Sequence, residues 1–591
     1  MLNINNIGAD AMIRTRDHKT PYLIDPWDYL GPKRRKLLDE SWAGLFREHI
    51  LSELPVHKIA PYYADGFGRP SKELYTALGV LILQQMHDLT DEEAVTQLSF
   101  NVQWHYALDI PGESDDAKYL CSKTLWTLRH VVAENGLDRE LFNATTETLA
   151  KVFGVDTSKQ RIDSVHIRSN MRRLGRICIF SQSIHNFLIN LKRQRRVIFE
   201  TIEKELLDRY LTEKSLGCFS LVKPSESEKT LETVSRDLFS LVQCFRENKQ
   251  VKSMTTFGVL LRVLKDQCDV TDQSAEMALK NPKQILSSSL QNPSDPDAGY
   301  DAHKGQGYQV QVMETYCDSS DEAIKEKTLN LITHVEIEPA HVSDVHALIP
   351  ALESTRERGL APEEVLADTL YGSDDNREKA KEMCVEVVSP VMGTPKEETL
   401  SLADFPQTEK GKISACPQGH APVKFKQGKK NICNVAFASE HCSICPLLDQ
   451  CPVKPGKKRH YLRFDLKALR IATRRAREHT PEFKDKYRWR SGIESTFSEM
   501  DKKTGVKRLR VRGLSAVGYC ARLKAIGVNL FRATRVKRAL DTIKTAPGVV
   551  SAAIRSIIWV VKERFLSPWR RLSYIFNSAT GNMAYASKIA A

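Results

Sequence analysis

The 591-residue sequence predicts an α/β fold class, with a helical domain ahead of the α/β unit. Two patterns support this. Residues 20–155 carry apolar side chains at helical spacing, as in the series 74–83. Short apolar runs follow at 161–168 and recur between 307 and 391, where they alternate with helical patterns. Strands and helices that alternate along a chain are typical of a layered α/β unit.

The elements of this unit can be placed in order. The run 161–168 is a buried strand that carries an acid, Asp163. Residues 180–286 return to helical patterns, with one long amphipathic helix over 187–211, and the Ser-, Pro- and Asp-rich stretch 287–297 reads as a linker. The later segments are predicted as strands at 307–316, 329–337, 365–370 and 385–391, and helices at 343–358 and 374–381. A long helical insertion therefore separates the first strand from the others.

The positive charge is concentrated in one segment. The whole chain has a net charge of +13, whereas residues 454–540 hold 26 Lys and Arg against 7 Asp and Glu. A solvated helix face would be the ordinary explanation, but a surplus this dense favours nucleic acid or another polyanion as partner. The first 30 residues lack the apolar core of a signal peptide, and no apolar run is long enough for a membrane span, so no membrane partner is expected.

Five of the 13 cysteines fall within the 36 residues 416–451. The pair Cys442 and Cys445 has the C-x2-C spacing that lets two thiolates point at one ion. We expect Zn²⁺ to be held by Cys416, Cys442, Cys445 and Cys451, with His420, Cys433 or His441 as alternative ligands. Four ligands would make this a closed, structural site. The alternative is a set of free cysteines in a loop.

Three acids form a second candidate site. Asp163 lies on the first strand, Asp368 near the end of a later strand, and Glu494 on a predicted helix over 487–497. Tyr487, Arg490 and Glu494 are spaced i, i+3, i+7 and would share one helix face. Converging carboxylates could hold two Mg²⁺ or Mn²⁺ ions for in-line phosphoryl displacement. The alternatives are a turn acid at 163, a helix cap at 368, and an exposed partner of Arg490 at 494.

The motifs around these acids resemble bacterial insertion-sequence transposases of the DDE superfamily. The resemblance rests on residues 162–170, on residues 366–372, and on Tyr487, Arg490 and Glu494, which match the signature Tyr-x2-Arg-x3-Glu-x6-Lys. The lysine position falls on Asp501, followed by two lysines. Residues 68–70 resemble the helical N-terminal domain of these enzymes, and residues 445–451 resemble the cysteine-rich insert of one subgroup.

The resemblance implies a fold, a chemistry and partners. It implies an RNase H-like catalytic core in which Asp163, Asp368 and Glu494 bind two Mg²⁺ (or Mn²⁺) ions and catalyse DNA strand cleavage and strand transfer. The partner would be double-stranded DNA, both the terminal inverted repeats of the element and the target, bound by a homodimer in the bacterial cytoplasm, associated with the nucleoid. The residues expected to contact DNA are Tyr487, Arg490, Lys502, Lys503, Lys507, Arg508, Arg510 and Arg512.

The resemblance also divides the chain. The expected parts are a helical N-terminal transposase domain (1–155), a first part of the RNase H-like core (156–182), a helical insertion (183–292), core strands (293–392), a cysteine-rich insertion (393–470), the catalytic helix with the basic part of the core (471–545), and a C-terminal tail (546–591). Two alternatives remain open: a catalytically inactive, zinc-containing DNA-binding relative, and an RNase H-like nuclease without joining activity.

Overall fold

The structure is a computed structural model that describes residues 13–63, 70–212, 219, 221–271, 276–393, 400–408, 412–428 and 431–545. The predicted C-terminal tail and residues 68–69 of the motif 68–70 lie outside these residues. The chain divides into two compact units, 1–534 and 535–591. The first unit contains every element discussed below except the end of the last helix.

The N-terminal region is helical, as predicted. Its core contains Trp27, Phe46, Leu81 and Trp104, all of which are almost fully buried. A π-helical turn at Phe46–Ile50 and a 3₁₀ turn at Leu51–Glu53 extend the second helix. The α-helices are α1 (Pro32–Asp39), α2 (Trp42–Leu45), α3 (Val56–Ile59), α4 (Leu74–Met86), α5 (Asp91–Phe100), α6 (Val102–Ala107), α7 (Asp115–Lys118), α8 (Ser122–Glu134) and α9 (Leu137–Phe153).

A mixed sheet forms the centre of the α/β unit. Its strands are β1 (Lys159–Arg168), β4 (Gly299–Asp301), β5 (Gly305–Thr315), β6 (Ile332–Pro339), β7 (Glu364–Ala367) and β8 (Glu386–Val388). The order is β6-β5-β1-β7-β8, and β4 also pairs with β5. The β6-β5-β1 pairs are antiparallel, whereas β1, β7 and β8 run parallel. Helices α16 (Glu322–Lys327), α17 (Leu348–Glu357) and α18 (Asp374–Glu382) connect these strands.

Several boundaries differ from the predicted ones. The strands β6, β7 and β8 are shifted or shorter, and the helix predicted over 343–358 is a 3₁₀ turn at Asp344–His346 followed by α17. The strand β5 alternates in sequence but is buried on both faces. Gln309 and Gln311 tolerate burial because their side chains are hydrogen-bonded, Gln309 to the carbonyl of Val342 and Gln311 to Asp344.

The helical segment after β1 has a hydrophobic core of its own, which includes Phe187 and Phe257. Its helices are α10 (Arg176–Gln194), α11 (Arg196–Phe199), α12 (Lys204–Leu211), α13 (Ser227–Phe245), α14 (Lys249–Lys252) and α15 (Thr255–Gln267), and a hairpin of β2 (Cys268–Thr271) and β3 (Glu276–Leu279) follows. The prediction of one helix over 187–211 is wrong. The chain folds back so that the Tyr210 carbonyl meets His185 Nδ1 at 2.8 Å, whereas a straight helix would separate them by roughly 37 Å.

The predicted linker 287–297 is also packed into the structure. Asp295 is fully buried and accepts hydrogen bonds from Tyr308 Oη at 2.5 Å, from the Gly513 amide at 3.1 Å and from the Ser169 hydroxyl. These three partners come from widely separated parts of the chain. The stretch therefore ties the end of β1 to β5 and to the segment after residue 505, rather than linking two domains loosely.

The cysteine-rich segment forms a small sheet with the order β11-β12-β10-β9. Its strands are β9 (Lys424–Gln427), β10 (Ile432–Ala438), β11 (Lys454–Pro455) and β12 (Arg459–Asp465), with the short helix α19 (Ser439–Cys442) after β10. Phe405, Phe437 and Leu462 are part of its core. The sheet leads into α20 (Leu466–Glu478).

The last helices carry the predicted signature. They are α21 (Pro481–Tyr487), α22 (Gly492–Thr504) and α23 (Leu514–Thr545), and the 3₁₀ turn Arg488–Ser491 separates the first two. The continuous helix predicted over 487–497 is therefore interrupted. Within the described part of the chain, no helix is long and apolar enough to cross a membrane. The predicted domain boundaries at 182/183 and 470/471 fall inside α10 and α20.

Candidate active site

The sheet brings the first two predicted acids together. Strands β1 and β7 are parallel neighbours, and Ile162 lies opposite Ala367. The next residue on each strand is an acid, so Asp163 and Asp368 lie side by side where β7 ends. Because β7 stops at Ala367, Asp368 is the first residue of the following turn. Two carboxylates that lie next to each other on adjacent parallel strands can share a bound cation.

Arg490 links the third acid to this pair. Its Nη2 donates to Asp163 Oδ2 at 2.6 Å, and its Nη1 lies 3.5 Å from Glu494 Oε1. The Arg490 side chain is 17% exposed, whereas the Glu494 side chain is 69% exposed. The interrupted helix thus still places these two signature residues on one side. The guanidinium stands between the carboxylates of Asp163 and Glu494.

Tyr487 packs beneath the site. Its ring stacks on Phe483 with centroids 5.5 Å apart, and it lies against a cluster that contains Leu366 and Val388. Burial, with smaller contributions from Asp368 and Asp163, raises the pKa of Tyr487 to about 12. At neutral pH its hydroxyl is therefore protonated and can donate a hydrogen bond.

The negative charge of the carboxylates around Asp163 is only partly compensated by Arg490. Burial raises the pKa of Asp163 to about 6; Arg490 opposes this increase, and the charges of Asp368 and Asp344 add to it. A carboxyl group with a raised pKa beside other acids gains most from a cation that supplies more charge than one arginine. The donor set, which consists of carboxylate oxygens, suits Mg²⁺ or Mn²⁺.

A buried ionic cluster holds this site in place. Arg161, two residues before Asp163, pairs with Glu314 on β5 at 2.7 Å and donates to the Trp489 carbonyl at 2.6 Å. Glu314 also accepts from Thr496 on α22 and from Arg532 on α23, each at 2.8 Å. The strand with Asp163 and the helix with Glu494 are thus bonded to one carboxylate, which the two arginines keep ionised by lowering its pKa against the opposing effect of burial.

Gly492 shows how closely the start of α22 approaches Arg161 on β1. A Cβ at this position would lie 2.1 Å from Arg161 Nη1, well inside van der Waals contact. Only glycine lets the start of α22 lie against the arginine. The Glu494 helix therefore depends on both a missing side chain and a buried ion pair for its position.

Two residues of the site were not predicted. Glu314 stands in a predicted strand among apolar residues, and an acid in such a run is a signal of a buried ionic contact. Asp344 accepts from Gln311 Nε2 at 2.8 Å and from Ser164 Oγ at 3.3 Å. No local pattern distinguishes Asp344 from a helix cap, because its partners come from β1 and β5.

The predicted DNA-contacting residues differ in their surroundings. Lys503 pairs with Glu499 at 2.7 Å, Arg510 pairs with Asp88 at 3.2 Å, and Arg512 Nη1 contacts the Met171 sulfur at 3.5 Å. Among the described residues, no carboxylate lies within ion-pair distance of Lys502, Lys507 or Arg508. Lys502 and Arg508 are exposed and Lys507 is partly exposed.

Part of the basic surplus is internal. Arg522 pairs with Asp138 at 2.5 Å, and Lys524 pairs with Asp88 at 2.7 Å. Together with Arg532, these side chains are less than one-tenth exposed, and they neutralise buried or partly buried acids of other elements. Their charge is not available to a polyanion.

Asp501 stands at the lysine position of the signature. Its Oδ1 accepts from the Lys507 amide at 3.2 Å and thereby closes the turn after α22. Lys502 is the next residue and is exposed. An acid at position 501 is thus explained by the local backbone. Among the described residues, Lys502 has no acidic partner and is the next residue along the chain.

The four predicted zinc-binding cysteines line one cavity of about 30 Å³. His420 and His441 line the same cavity, with their rings stacked 4.1 Å apart. Burial, and then the neighbouring thiols, raise the pKa of Cys442 and Cys451. Cys433 instead lies in the core of the small sheet and does not line the cavity. Soft sulfur donors in this arrangement suit Zn²⁺.

As they stand, no three His, Cys, Asp or Glu side chains of the described ranges are arranged to hold a metal ion. At the acidic site, the Arg490 guanidinium occupies the space between two of the carboxylates. At the cysteine cavity, the thiols face a common space without converging on a point. The carboxylates are suitable ligands for Mg²⁺ or Mn²⁺, and the thiols are suitable ligands for Zn²⁺. In both sites the side chains would have to move before they could bind the ion.

Two matches with known families define the class of protein. Residues 415–534 match a family model described as a transposase DDE domain, and residues 39–130 match a model described as a transposase domain (DUF772). The resemblance to insertion-sequence transposases of the DDE superfamily is therefore confirmed, and the chain carries the domains of a DNA transposase. None of the curated proteins compared with the chain matches it.

The first match includes the cysteine cavity and Glu494, whereas Asp163 and Asp368 lie outside both matched ranges. A DDE transposase domain implies an RNase H-like core. The six-stranded sheet positions the acids: β6, β5 and β1 are antiparallel neighbours, and β7 and β8 run parallel to β1.

Proposed function

We propose that the protein cuts DNA at the ends of an insertion sequence and joins those ends to target DNA, with Asp163, Asp368 and Glu494 as the catalytic carboxylates. The observation that carries this proposal is the placement of Asp163 beside Asp368 on parallel strands, with Glu494 linked to them through Arg490. The site of action would be nucleoid DNA in the bacterial cytoplasm, and the active form on DNA a homodimer.

The three carboxylates would hold two Mg²⁺ or Mn²⁺ ions. When bound, these ions would activate the attacking oxygen and stabilise the leaving oxygen of an in-line displacement at a DNA phosphodiester. Asp163 must be ionised to take part, and its pKa of about 6 leaves it mostly so at neutral pH. Arg490 must release Asp163, after which its guanidinium is free to pair with a DNA phosphate.

The exposed cations after the catalytic helix would hold the DNA backbone. Lys502, Lys507 and Arg508 need no internal bond to be broken, whereas Lys503 and Arg510 would exchange Glu499 and Asp88 for phosphates. Arg512 would add a contact to a DNA phosphate. Tyr487 would support the catalytic carboxylates from beneath. The insertions at 183–292 and 393–470 would interrupt the core without changing the order of its elements. Zn²⁺ bound by Cys416, Cys442, Cys445 and Cys451 would stabilise the second of these.

The test is cleavage and strand transfer by the full-length protein on linear DNA that carries the element ends, with Mg²⁺ or Mn²⁺. Glu494→Gln should reduce both products by about 100-fold or more. The control is Glu482→Gln, which removes an exposed acid from α21 and should stay within about twofold of the wild type. Cleavage that survives Glu494→Gln would refute the assignment, and cleavage without joined products would identify a nuclease instead.

A further inference from the structure

A basic groove lies between the edge of the main sheet and the cysteine-rich segment. Helix α18 and strand β8 form one wall and α20 forms the other, and the groove has a volume of about 770 Å³. The groove begins close to the candidate active site, because Arg474 Nη2 donates to the carbonyl of Gly372, four residues after Asp368, at 2.7 Å.

Both helices direct their basic side chains into this groove. Helix α20 supplies Arg470, Arg474 and Arg477, which are spaced i, i+4, i+7. Helix α18 supplies Arg377 and Lys381, which are spaced i, i+4. Such spacings place the side chains of each helix on one face. The sequence thus builds two facing rows of cations.

Internal acids neutralise only part of this charge. Arg470 pairs with Asp374 at 2.5 Å, and Arg477 pairs with Glu386 at 3.3 Å. Within the described residues, the Arg377 guanidinium has no hydrogen-bond or ion-pair partner, and the Arg474 guanidinium reaches Asp374 only at 4.0 Å. The Arg474 Nε is buried and, among the described atoms, makes no hydrogen bond.

Both under-neutralised guanidinium groups are poorly solvated, and the charge of Arg474 disfavours the charged form of Arg377. Burial, and then the charges of Arg474 and Arg477, lower the pKa of Arg377 to about 10. Burial also lowers the pKa of Arg474. Desolvated cations held side by side are costly unless an anion joins them. An arginine guanidinium can donate two parallel hydrogen bonds to two oxygens of one phosphate.

We propose that this groove binds backbone phosphates of duplex DNA, with Arg377 and Arg474 as the principal contacts; this inference rests on the proposed function. The described lining contains no aromatic side chain on which a base could stack, so a nucleotide is a poorer ligand than a phosphate backbone. Contacts to backbone phosphates do not depend on the DNA sequence. The groove would extend the DNA path from the active site in a direction separate from residues 502–512.

The experiment measures binding of element-end duplex to the full-length protein by fluorescence anisotropy over a series of salt concentrations. Arg377→Ala/Arg474→Ala should weaken binding by about tenfold and reduce the slope of log affinity against log salt by about 2, because each lost phosphate contact removes about 0.9. The control Arg196→Ala/Arg236→Ala removes two exposed cations from α11 and α13 and should leave the slope unchanged. Arg377→Gln alone, which breaks no internal bond, should reduce the slope by about 1 if the double variant does not fold.

Each result decides the proposal. A groove variant with the wild-type slope would overturn it while leaving the proposed function intact. Absence of salt-dependent DNA binding by the wild type would overturn both. A further arm uses inorganic phosphate in a thermal shift assay. If phosphate stabilises the wild type but not the double variant, and the DNA slope is unchanged, the groove binds a small phosphate compound and not DNA.

Discussion

Arg161 and Glu314 form a wholly internal ion pair, with 2.7 Å between Nη2 and Oε1. The same guanidinium holds the carbonyl of Trp489, the neighbour of Arg490. Through this pair, the strand with Asp163 and the segment with Arg490 are fixed to each other. The geometry of the candidate site therefore depends on a carboxylate that would not itself contact DNA or metal.

Glu314→Gln should destabilise the protein strongly. The substitution leaves Arg161 buried without its counter-charge and leaves Arg532 with Glu499 as its remaining acid. Breaking a buried pair in this way typically costs about 3–5 kcal/mol. We expect the free energy of unfolding, measured by urea denaturation, to fall by about that amount. The control Glu326→Gln changes an exposed acid of α16 and should alter it by less than about 0.5 kcal/mol. Equal stability of the two variants would show that the pair is not a structural anchor.

Asp368→Asn should abolish cleavage and yet stabilise the metal-free protein at pH 7. Asp163 has a folded-state pKa of about 6, above its ordinary value, so its ionisation opposes folding as the pH rises through this range. Burial causes most of that cost, and removal of the neighbouring charge at 368 relieves a smaller part of it, less than about 1 kcal/mol. Urea denaturation with chelator present provides the measurement. Asp375→Asn, on the exposed surface of α18, is the matched control. A destabilised Asp368→Asn would mean that the two acids do not repel each other.

His334 predicts a specific pH dependence of stability. It is buried, and burial, together with nearby arginines, lowers its pKa to about 3. Between about pH 6.5 and pH 3, the unfolded chain therefore binds a proton that the folded protein does not bind. The stabilising contribution of His334 to the free energy of unfolding is complete above about pH 6.5 and is lost as the pH falls. His334→Gln should reduce the slope of unfolding free energy against pH by about 1.4 kcal/mol per pH unit near pH 5. An unchanged slope would show that His334 is accessible to protons in the folded state.

Zinc content tests the cysteine cavity. The purified wild type should contain about one Zn²⁺ per chain by elemental analysis, and Cys442→Ser/Cys445→Ser should lose it together with the stability of the small sheet. Cys433→Ser should retain the metal, because Cys433 lies in the sheet core. Cys384→Ser, at an exposed position outside the segment, is the control. Zinc-free wild-type protein with intact structure would contradict the assignment.

The sequence predicts β1 and β5 well and β6, β7 and β8 approximately, because apolar alternation is a local pattern. It also places Asp163 on β1 and Asp368 close to the end of β7. It does not predict Glu314 as an anchor or Asp295 as a buried acceptor, since their partners are far apart along the chain. The net charge of residues 454–540 likewise overestimates the positive charge that is available to a polyanion. Arg522, Lys524 and Arg532 belong to that surplus, yet each neutralises a buried or partly buried acid from another element.

The most direct test of the central claim is metal-specific rescue of Asp368→Cys in the cleavage assay. A sulfur ligand accepts Mn²⁺ more readily than Mg²⁺, so a residue that touches the metal should show this preference when its oxygen is replaced. We predict that the variant loses cleavage by about 100-fold in Mg²⁺ and recovers at least about tenfold in Mn²⁺, while wild-type activity changes little between the two ions. Equal loss in both ions, or full activity in Mg²⁺, would contradict a role for Asp368 as a ligand of the catalytic metal.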